Sequence, residues 1–191
     1  MRIILASKSP RRKELIALIG VPVEVASKEV DESFPEQLEP VMAVRHIAEK
    51  KADAFAVDVT DELVIAADTI VTIDGLVLGK PESHLQAVDM LLKLSGRTHE
   101  VITAVALLHH GSTYVFHEVT AVTFRPLDAA EINHYIHQYQ PFDKAGAYGI
   151  QEWIGMVAIE KIIGSYTNVV GLPTQRLYQE LKTRYPMLAI P

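Results

Sequence analysis

The stretch LVIAADTIVTIDGLVL, residues 63–78, decides the fold class. Its first five residues form a continuous apolar run, which is typical of a strand buried in the middle of a sheet. Asp74 and Gly75 then stand between two short aliphatic runs, and this pattern predicts a tight hairpin. A sheet that contains both a central strand and a hairpin is expected to be mixed rather than wholly parallel.

Helix-like and strand-like segments alternate along the rest of the chain. Helix-start signals stand at Ser9, Pro40, Ser83, Asp128 and Pro173. Further strands are predicted over 3–6, 99–108, 113–124, 155–160 and 166–170. This interleaving predicts an α/β fold with a mixed, twisted sheet and flanking helices.

Composition excludes several classes of protein. The chain has 191 residues, which fits one domain or two small lobes that share a core. The formal net charge of −6 argues against a protein that grips nucleic acid, and no apolar run is long enough to span a membrane. The absence of cysteines excludes disulfides and thiolate metal sites, and it fits a reducing, cytoplasmic location.

Asp68 is the first candidate functional residue. It follows the apolar run 63–67, and we expect it at the end of that strand. A buried carboxylate needs a partner or a chemical task, because removing a charge from water is costly. Two interpretations stay open from position alone: a catalytic acid or base, and a side chain that bonds backbone amides at a strand end.

The segment SKSPRR, residues 7–12, follows the first strand and opens a helix. Backbone N–H groups at a helix start favour anions, and the hydroxyl of Ser9 and the guanidinium of Arg12 add donors suited to phosphate. The segment is not a Walker loop, because the required glycines are missing. The alternative interpretation is an ordinary capped helix with exposed basic residues.

Two lysines are candidate phosphate contacts. Lys51 lies on the same helical face as the apolar residues Val44, Ala48 and Phe55, so its ammonium either extends out to solvent or reaches into a cleft. Lys80 lies on the tight loop that follows the predicted hairpin, and the sequence gives less support for it than for Lys51 as a phosphate contact.

Small residues fill the stretch 144–151, which allows a ligand to approach the backbone closely. Gln151 ends it with an amide that can both donate and accept, as the reading of a base edge requires. A tightly packed corner is the alternative. The eight histidines show no metal-ligand spacing and are expected at the surface or in packing, and no serine-hydrolase elbow is present.

Taken together, seven segments resemble the Maf family of nucleoside triphosphate pyrophosphatases. They run in order over nearly the whole chain, so we expect a single Maf-like domain over 1–191. The segments are SKSPRRKEL (7–15), ADTIV (67–71), GKP (79–81), LSGRTH (94–99), DKAGAYGIQ (143–151), GSY (164–166) and VGLP (170–173).

The resemblance implies a fold of two lobes around a deep cleft, like the inosine triphosphatase-type fold. It also implies that the protein forms a homodimer. It implies hydrolysis of a nucleoside triphosphate to the monophosphate and pyrophosphate with a divalent cation, Mg²⁺ or Mn²⁺. Asp68 matches the family's proposed catalytic base. Three further residues match positions that set base preference, and their combination resembles the branch that acts on dTTP and UTP; they are Arg12, Thr69 and Gln151.

With this resemblance, Ser9, Lys51 and Lys80 are expected at the triphosphate, and Glu32 is a plausible second carboxylate for the metal. One departure is visible: Glu152 and Trp153 follow Gln151, where this branch usually has a glycine and further small residues. We expect them to reshape the rim of the pocket.

Two competing functions stay open at this point. One is a non-catalytic nucleotide-binding regulator of cell division and septum formation, and the other is a purine house-cleaning enzyme of the same fold. Measuring the release of pyrophosphate from a panel of nucleotides distinguishes these two functions from the hydrolysis of dTTP and UTP.

Overall fold

A computed structural model describes residues 1–35, 37–188 and 190. Strands lie at β1 Ile3–Ala6, β2 Glu24–Ala26, β3 Leu63–Ile73, β4 Leu76–Leu78, β5 Thr98–His109, β6 Ser112–Phe124 and β7 Ile159–Ile163. Helices lie at α1 Pro10–Leu18, α2 Pro40–Asp53, α3 His84–Leu94, α4 Ala129–Tyr139, α5 Trp153–Val157, α6 Tyr166–Val170 and α7 Thr174–Arg184. Short 3₁₀ turns cover Pro141–Asp143, Ala145–Ala147 and Pro186–Leu188.

In the described part of the chain the strands form one seven-stranded sheet in the order β2-β1-β3-β5-β6-β7, with β4 paired to β3. Strand β1 runs parallel to both β2 and β3, whereas β4 and β7 pair antiparallel with β3 and β6. The predicted mixed α/β class is therefore confirmed.

The β3–β4 hairpin is also confirmed, with Ile73 opposite Leu76 across a two-residue turn. Asp74 and Gly75 have φ angles of 51° and 77°, the left-handed pair that a tight hairpin turn of this length requires. His110 and Gly111 form the equivalent turn between β5 and β6, with φ angles of 48° and 71°.

Side-chain caps begin the helices where the sequence predicts them. The hydroxyls of Ser9 and Ser83 accept backbone hydrogen bonds at the starts of α1 and α3. Asp128 and Glu131 complete a reciprocal capping box at α4. The described residues contain no helix that is both long and apolar enough to cross a bilayer.

The chain divides into two compact units. The first comprises residues 1–68, 103–118 and 171–191, and the second comprises residues 69–102 and 119–170. The first unit has its own core, which includes Leu5, Ile16, Val44, Ala48, Leu63 and Ile65. The second unit has a core that includes Val71, Leu91, Leu94, Phe124, Tyr135 and Tyr148.

The strand predictions for 155–160 and 166–170 are wrong in part or in full. Residues 153–157 are helical, with the Gly155 N–H donating to Glu152 O at 3.0 Å and the Ala158 N–H donating to Ile154 O at 2.8 Å. A Cβ at Gly155 would lie 1.7 Å from the carbonyl oxygen of Ile150, so only glycine fits there. Strand β7 therefore begins only at Ile159. Residues 166–170 form α6, since the Ser165 hydroxyl accepts a hydrogen bond from the Asn168 backbone N–H in a helix-starting turn.

Strand β3 is longer than predicted and does not end at Asp68. It continues to Ile73 because residues 69–73 are rich in β-branched side chains and residues 71–73 pair with β4. Asp68 consequently lies in the middle of an 11-residue strand. Its carboxylate therefore needs a partner within the fold, and the contacts of the first unit supply one.

Candidate active site

The candidate site of the first unit is built at the carboxyl end of β1. There Ala6 pairs with Ala66 of the parallel strand β3, so the chain that leaves β1 passes beside the next residues of β3, Ala67 and Asp68. The chain then turns into α1 through Ser7, which is buried, and Ser9, which caps the helix. The first turn of α1 is thereby placed next to Asp68.

Arg12 joins these elements. Its Nη1 donates to the carbonyl oxygen of Ala67 at 2.8 Å, and its Nε donates to the carbonyl oxygen of Gly171 at 2.8 Å. Burial lowers the pKa of the Arg12 guanidinium, while the charge of Asp68 acts in the opposite direction. The guanidinium stays protonated at neutral pH and lends positive charge to the site.

Lys51 reaches inward rather than out to solvent. Its Nζ lies 2.6 Å from Asp68 Oδ1 and 2.9 Å from Glu32 Oε1. The side chains of Lys51 and Asp68 are only 17% and 12% exposed, whereas Glu32 is 47% exposed. The structure thus brings together Asp68, Lys51 and Glu32, and the sequence alone did not place Glu32.

Two carboxylates that meet at one ammonium offer hard oxygen donors close together. Mg²⁺ and Mn²⁺ bind such donors, and Mg²⁺ is commonly held by one or two carboxylates together with substrate phosphates. Asp68 and Glu32 therefore fit a divalent cation by their chemistry. The same carboxylates can accept a proton, and the neighbouring cationic side chains can stabilise anionic oxygens.

The second unit contains the other predicted site residues. Thr69 is half-buried in β3, and Lys80 is exposed on the loop after β4. Gln151 is exposed at the end of the small-residue stretch 143–151. A backbone hydrogen bond of 3.0 Å from Gly146 N to Gly79 O fixes this stretch against the Lys80 loop.

Glu152 anchors the stretch instead of standing free at a rim. Its carboxylate accepts a hydrogen bond from the Tyr135 hydroxyl and lies 3.1 Å from the Nζ of buried Lys144. The Tyr135 hydroxyl in turn accepts a hydrogen bond from Gly149 N at 3.0 Å. Sequence reasoning missed this network, although a lysine and a glutamate that flank a run of small residues were a usable signal.

His99 supports the same stretch from β5. The residue is 1% exposed, its Nε2 lies 2.7 Å from the Tyr148 hydroxyl, and its ring packs edge-on against Phe124 and Tyr148. Burial lowers the pKa of His99 to about 4, so the imidazole is neutral at pH 7. It therefore acts as a packed hydrogen-bonding group.

Comparison with known proteins places these features in a family. The family model for Maf-like proteins matches residues 2–184. A protein of Phocaeicola vulgatus named dTTP/UTP pyrophosphatase is 51% identical over 183 residues, covering 95% of each chain. A protein of Porphyromonas gingivalis with the same name is 44% identical over 185 residues, covering 95% of this chain and 93% of that one.

Among solved structures, the Ham1 protein of Staphylococcus aureus is similar with a TM-score of 0.49 and 18% identity. The match covers 65% of this chain and 72% of that chain. The family assignment rests on the family model and on the sequence relatives, which match nearly the full length. By both, the chain belongs to the Maf family.

Proposed function

We propose that this protein hydrolyses dTTP and UTP, or modified forms of these pyrimidine nucleotides, to the monophosphate and pyrophosphate. The observation that carries the proposal is the ammonium of Lys51 between the carboxylates of Asp68 and Glu32. Arg12 adds a second cationic group beside Asp68. The names of the relatives in Phocaeicola and Porphyromonas support the choice of substrates.

The triphosphate is proposed to bind at the start of α1. Backbone N–H groups there, the hydroxyl of Ser9 and the ammonium of Lys51 are suited to phosphate oxygens. Lys80 is proposed as a further phosphate contact, because it is exposed on a loop that the Gly146–Gly79 hydrogen bond holds in place.

Asp68 is proposed as the catalytic base. Its carboxylate takes one proton from a water molecule as the water oxygen forms a bond to the α-phosphorus. The bond from that phosphorus to the bridging oxygen breaks, and pyrophosphate leaves with the bonding electron pair. Lys51 orients the carboxylate through its 2.6 Å contact, and Arg12 orients the strand through the Ala67 carbonyl.

Glu32 is proposed to help hold the divalent cation, Mg²⁺ or Mn²⁺, together with substrate phosphates and water. When bound, such a cation neutralises charge on the phosphate oxygens. Lys51 already neutralises part of the charge of both carboxylates, which keeps the two anions close together before substrate arrives.

Gln151 is proposed to read the pyrimidine edge, and Arg12 and Thr69 are proposed to contribute to the preference for the base. The amide of Gln151 can both donate and accept, and it packs close to the Gly149 backbone: a Cβ at Gly149 would lie 2.9 Å from Glu152 Cδ and 3.1 Å from Gln151 Nε2. A site built to hydrogen-bond one base edge leaves polar groups unpaired with another base, which is a strong basis for discrimination.

A nucleotide panel tests the function directly. Pyrophosphate release is measured for dTTP, UTP, dCTP, ATP, GTP and ITP, with Mg²⁺ present or chelated. We expect dTTP and UTP to be cleaved fastest, and only with the cation. Nucleotide binding without cleavage would favour the septum-related regulator, and preference for ITP or GTP would favour a purine house-cleaning enzyme.

Replacement of Gln151 tests the reading of the base. In Gln151→Ala we expect the preference for UTP over GTP to shrink by about tenfold or more, while the dependence on Mg²⁺ stays unchanged. Gln138→Ala, which changes an exposed glutamine on α4, is the matched control. An equal loss of rate on every nucleotide would rule out base reading by Gln151.

We further propose that residues 1–191 work as a single Maf-like domain, which the family match over 2–184 supports. A homodimer is proposed on the family resemblance, and light scattering measures it. A cytoplasmic location is proposed because nucleoside triphosphates, the substrates, are kept inside the cell.

A further inference from the structure

A second cluster of polar side chains lies in the first unit, apart from Asp68 and Lys51. Asp61 precedes β3 by two residues, His109 ends β5 and His110 begins the turn into β6. The structure brings one potential ligand atom from each residue to within 4.8 Å of the others. Strands β3 and β5 are neighbours in the sheet, which explains how residues so distant in sequence meet.

The distances in this cluster suit a shared ion better than direct hydrogen bonds. Asp61 Oδ1 lies 3.5 Å from His110 Nε2 and 3.9 Å from His109 Nε2. N–H···O hydrogen bonds span roughly 2.7–3.2 Å. Two ligands of a tetrahedral Zn²⁺ with metal bonds of about 2.0–2.2 Å stand about 3.3–3.6 Å apart. The spacing therefore needs only small side-chain movements to surround one ion.

His109 supplies an independent observation. Its Nε2 atom is buried and makes no hydrogen bond within the part of the chain that the structure describes. Such an atom is costly unless something satisfies it. The ring is held in place by His110, with centroids 3.9 Å apart, and by an edge-on contact with Tyr185 at 5.4 Å. These ring contacts therefore fix the orientation of the His109 ring and the position of its unsatisfied Nε2 atom.

The backbone that carries Asp61 is also fixed. The carboxylate of Glu62 accepts hydrogen bonds from Thr60 N at 3.0 Å and from Asp61 N at 3.2 Å. It also accepts one from Arg2 Nη2 at 2.5 Å. The ring of His109 and the backbone at Asp61 are therefore positioned before any ion binds, which lowers the entropy cost of binding.

We propose that Asp61, His109 and His110 form a binding site for a transition-metal dication, with Zn²⁺ the best match. Two imidazole nitrogens and one carboxylate oxygen suit Zn²⁺, whereas Mg²⁺ prefers oxygen ligands alone. Water completes the coordination, since Asp61 and His110 are largely exposed. The ion joins the start of β3 to the β5–β6 turn and stabilises the first unit.

Metal titration of chelator-treated protein tests the site. Zn²⁺ binding is measured by competition with a chromogenic chelator, and Co²⁺ is used as a spectroscopic probe of tetrahedral nitrogen–oxygen coordination. We expect one tight ion per chain, a higher melting temperature with Zn²⁺, and no competition from millimolar Mg²⁺.

Three variants locate the ion. Asp61→Asn, His109→Gln and His110→Asn are each expected to weaken Zn²⁺ binding by at least about tenfold, the effect that even indirect partners of a metal commonly have. Asparagine tolerates the left-handed φ of 48° at position 110, so that variant keeps the turn. His137→Gln, an exposed histidine on α4, is the control and keeps full affinity.

Equal affinity in wild type and in all three variants, or loss in the His137→Gln control alone, would overturn the proposal. Asp61 is exposed, so Asp61→Asn folds even if His109→Gln does not. Pyrophosphate release with Mg²⁺ is measured on the same variants. We expect it to be unchanged, so that failure of the zinc site and failure of the proposed hydrolysis give different results.

Discussion

The partners of Lys51 could not be predicted from its position in the sequence. Its place on the apolar face of α2 beside Val44 and Ala48 signals burial, but it does not say which anion the ammonium meets. That partner depends on β3, which begins twelve residues later, and on the segment that carries Glu32. Such long-range pairing has no periodic signal in a single sequence.

Arg12 makes a testable contribution to stability. Its guanidinium donates to two carbonyl oxygens, those of Ala67 and Gly171, in a fixed fork. A lysine keeps the charge but cannot make both bonds in that geometry. We expect Arg12→Lys to lower the free energy of unfolding by about 1–3 kcal/mol, as measured by urea denaturation.

The matched control for that prediction is Lys13→Arg, a change between cationic side chains at an exposed position of the same helix. Arg12→Lys with the unfolding midpoint of the wild type would show that the two carbonyl contacts do not support the fold. Lys13→Arg is expected to stay within about 0.5 kcal/mol of wild type.

His99 predicts a dependence of stability on pH. Its pKa is about 4 in the folded protein, against 6.5 for an unperturbed histidine. Between these values the unfolded chain binds a proton that the folded chain excludes. The free energy of unfolding therefore falls as the pH drops from 6.5 to 4, by up to about 3 kcal/mol, and this contribution is complete above pH 6.5.

His99→Gln removes the titrating group and should flatten this part of the stability curve. Urea denaturation from pH 4 to 7 measures the slope for both proteins. His137→Gln, an exposed histidine, should keep the slope of the wild type. The same slope in His99→Gln and wild type would contradict the assignment of His99 as a buried neutral group.

At the scale of elements, local signals predicted most boundaries correctly. The caps at Ser9, Ser83 and Asp128 and the turn at Asp74–Gly75 are local chemistry, and the structure confirms them. The end of β3 lies at Ile73 rather than at Asp68, and α5 and α6, which are five residues each, do not form the predicted strands. Apolar runs of that length fit a strand as well as a helix, and tertiary contacts decide between them.

Gly146 allows a test of the packing of the 143–151 stretch. It has a φ of 68°, and a Cβ there would lie 2.9 Å from Val71 Cγ2. Gly146→Ala is therefore both strained and overpacked, and we expect a loss of about 1–3 kcal/mol in unfolding free energy. Gly79→Ala is the control, since a Cβ there meets nothing within 4 Å.

Thermal and urea unfolding of both variants check this prediction. Because Gly146 N bonds Gly79 O, Gly146→Ala should also disturb the loop that carries Lys80. A Gly146→Ala protein as stable as Gly79→Ala would mean that the stretch is loose enough to absorb a methyl group.

For the whole molecule, the order of seven short segments along the chain predicted the family. The alternation of helix-like and strand-like segments, together with the hairpin, predicted the mixed α/β class. Family membership is confirmed by the match over residues 2–184. Lys144 and Glu152 on either side of the small residues were a usable signal for the Glu152 network. The meeting of Asp61 with His109 could not be predicted, because it joins residues from separate elements. Contacts of that kind can be assigned only once the pairing and register of the strands are known.

The proposed hydrolysis depends above all on the carboxylate of Asp68. Asp68→Asn keeps the size of the side chain and removes the carboxylate that would accept the proton. Asp74→Asn is the matched control, because asparagine fits the left-handed turn at φ 51°. Circular dichroism checks that both variants are folded.

The decisive measurement is the rate of pyrophosphate release from dTTP with Mg²⁺ by the wild type, Asp68→Asn and Asp74→Asn. We predict that Asp68→Asn loses roughly 10²–10⁴-fold in kcat and that Asp74→Asn retains the rate of the wild type. A folded Asp68→Asn protein that turns over dTTP at close to the wild-type rate would contradict the proposed role of Asp68 as the catalytic base.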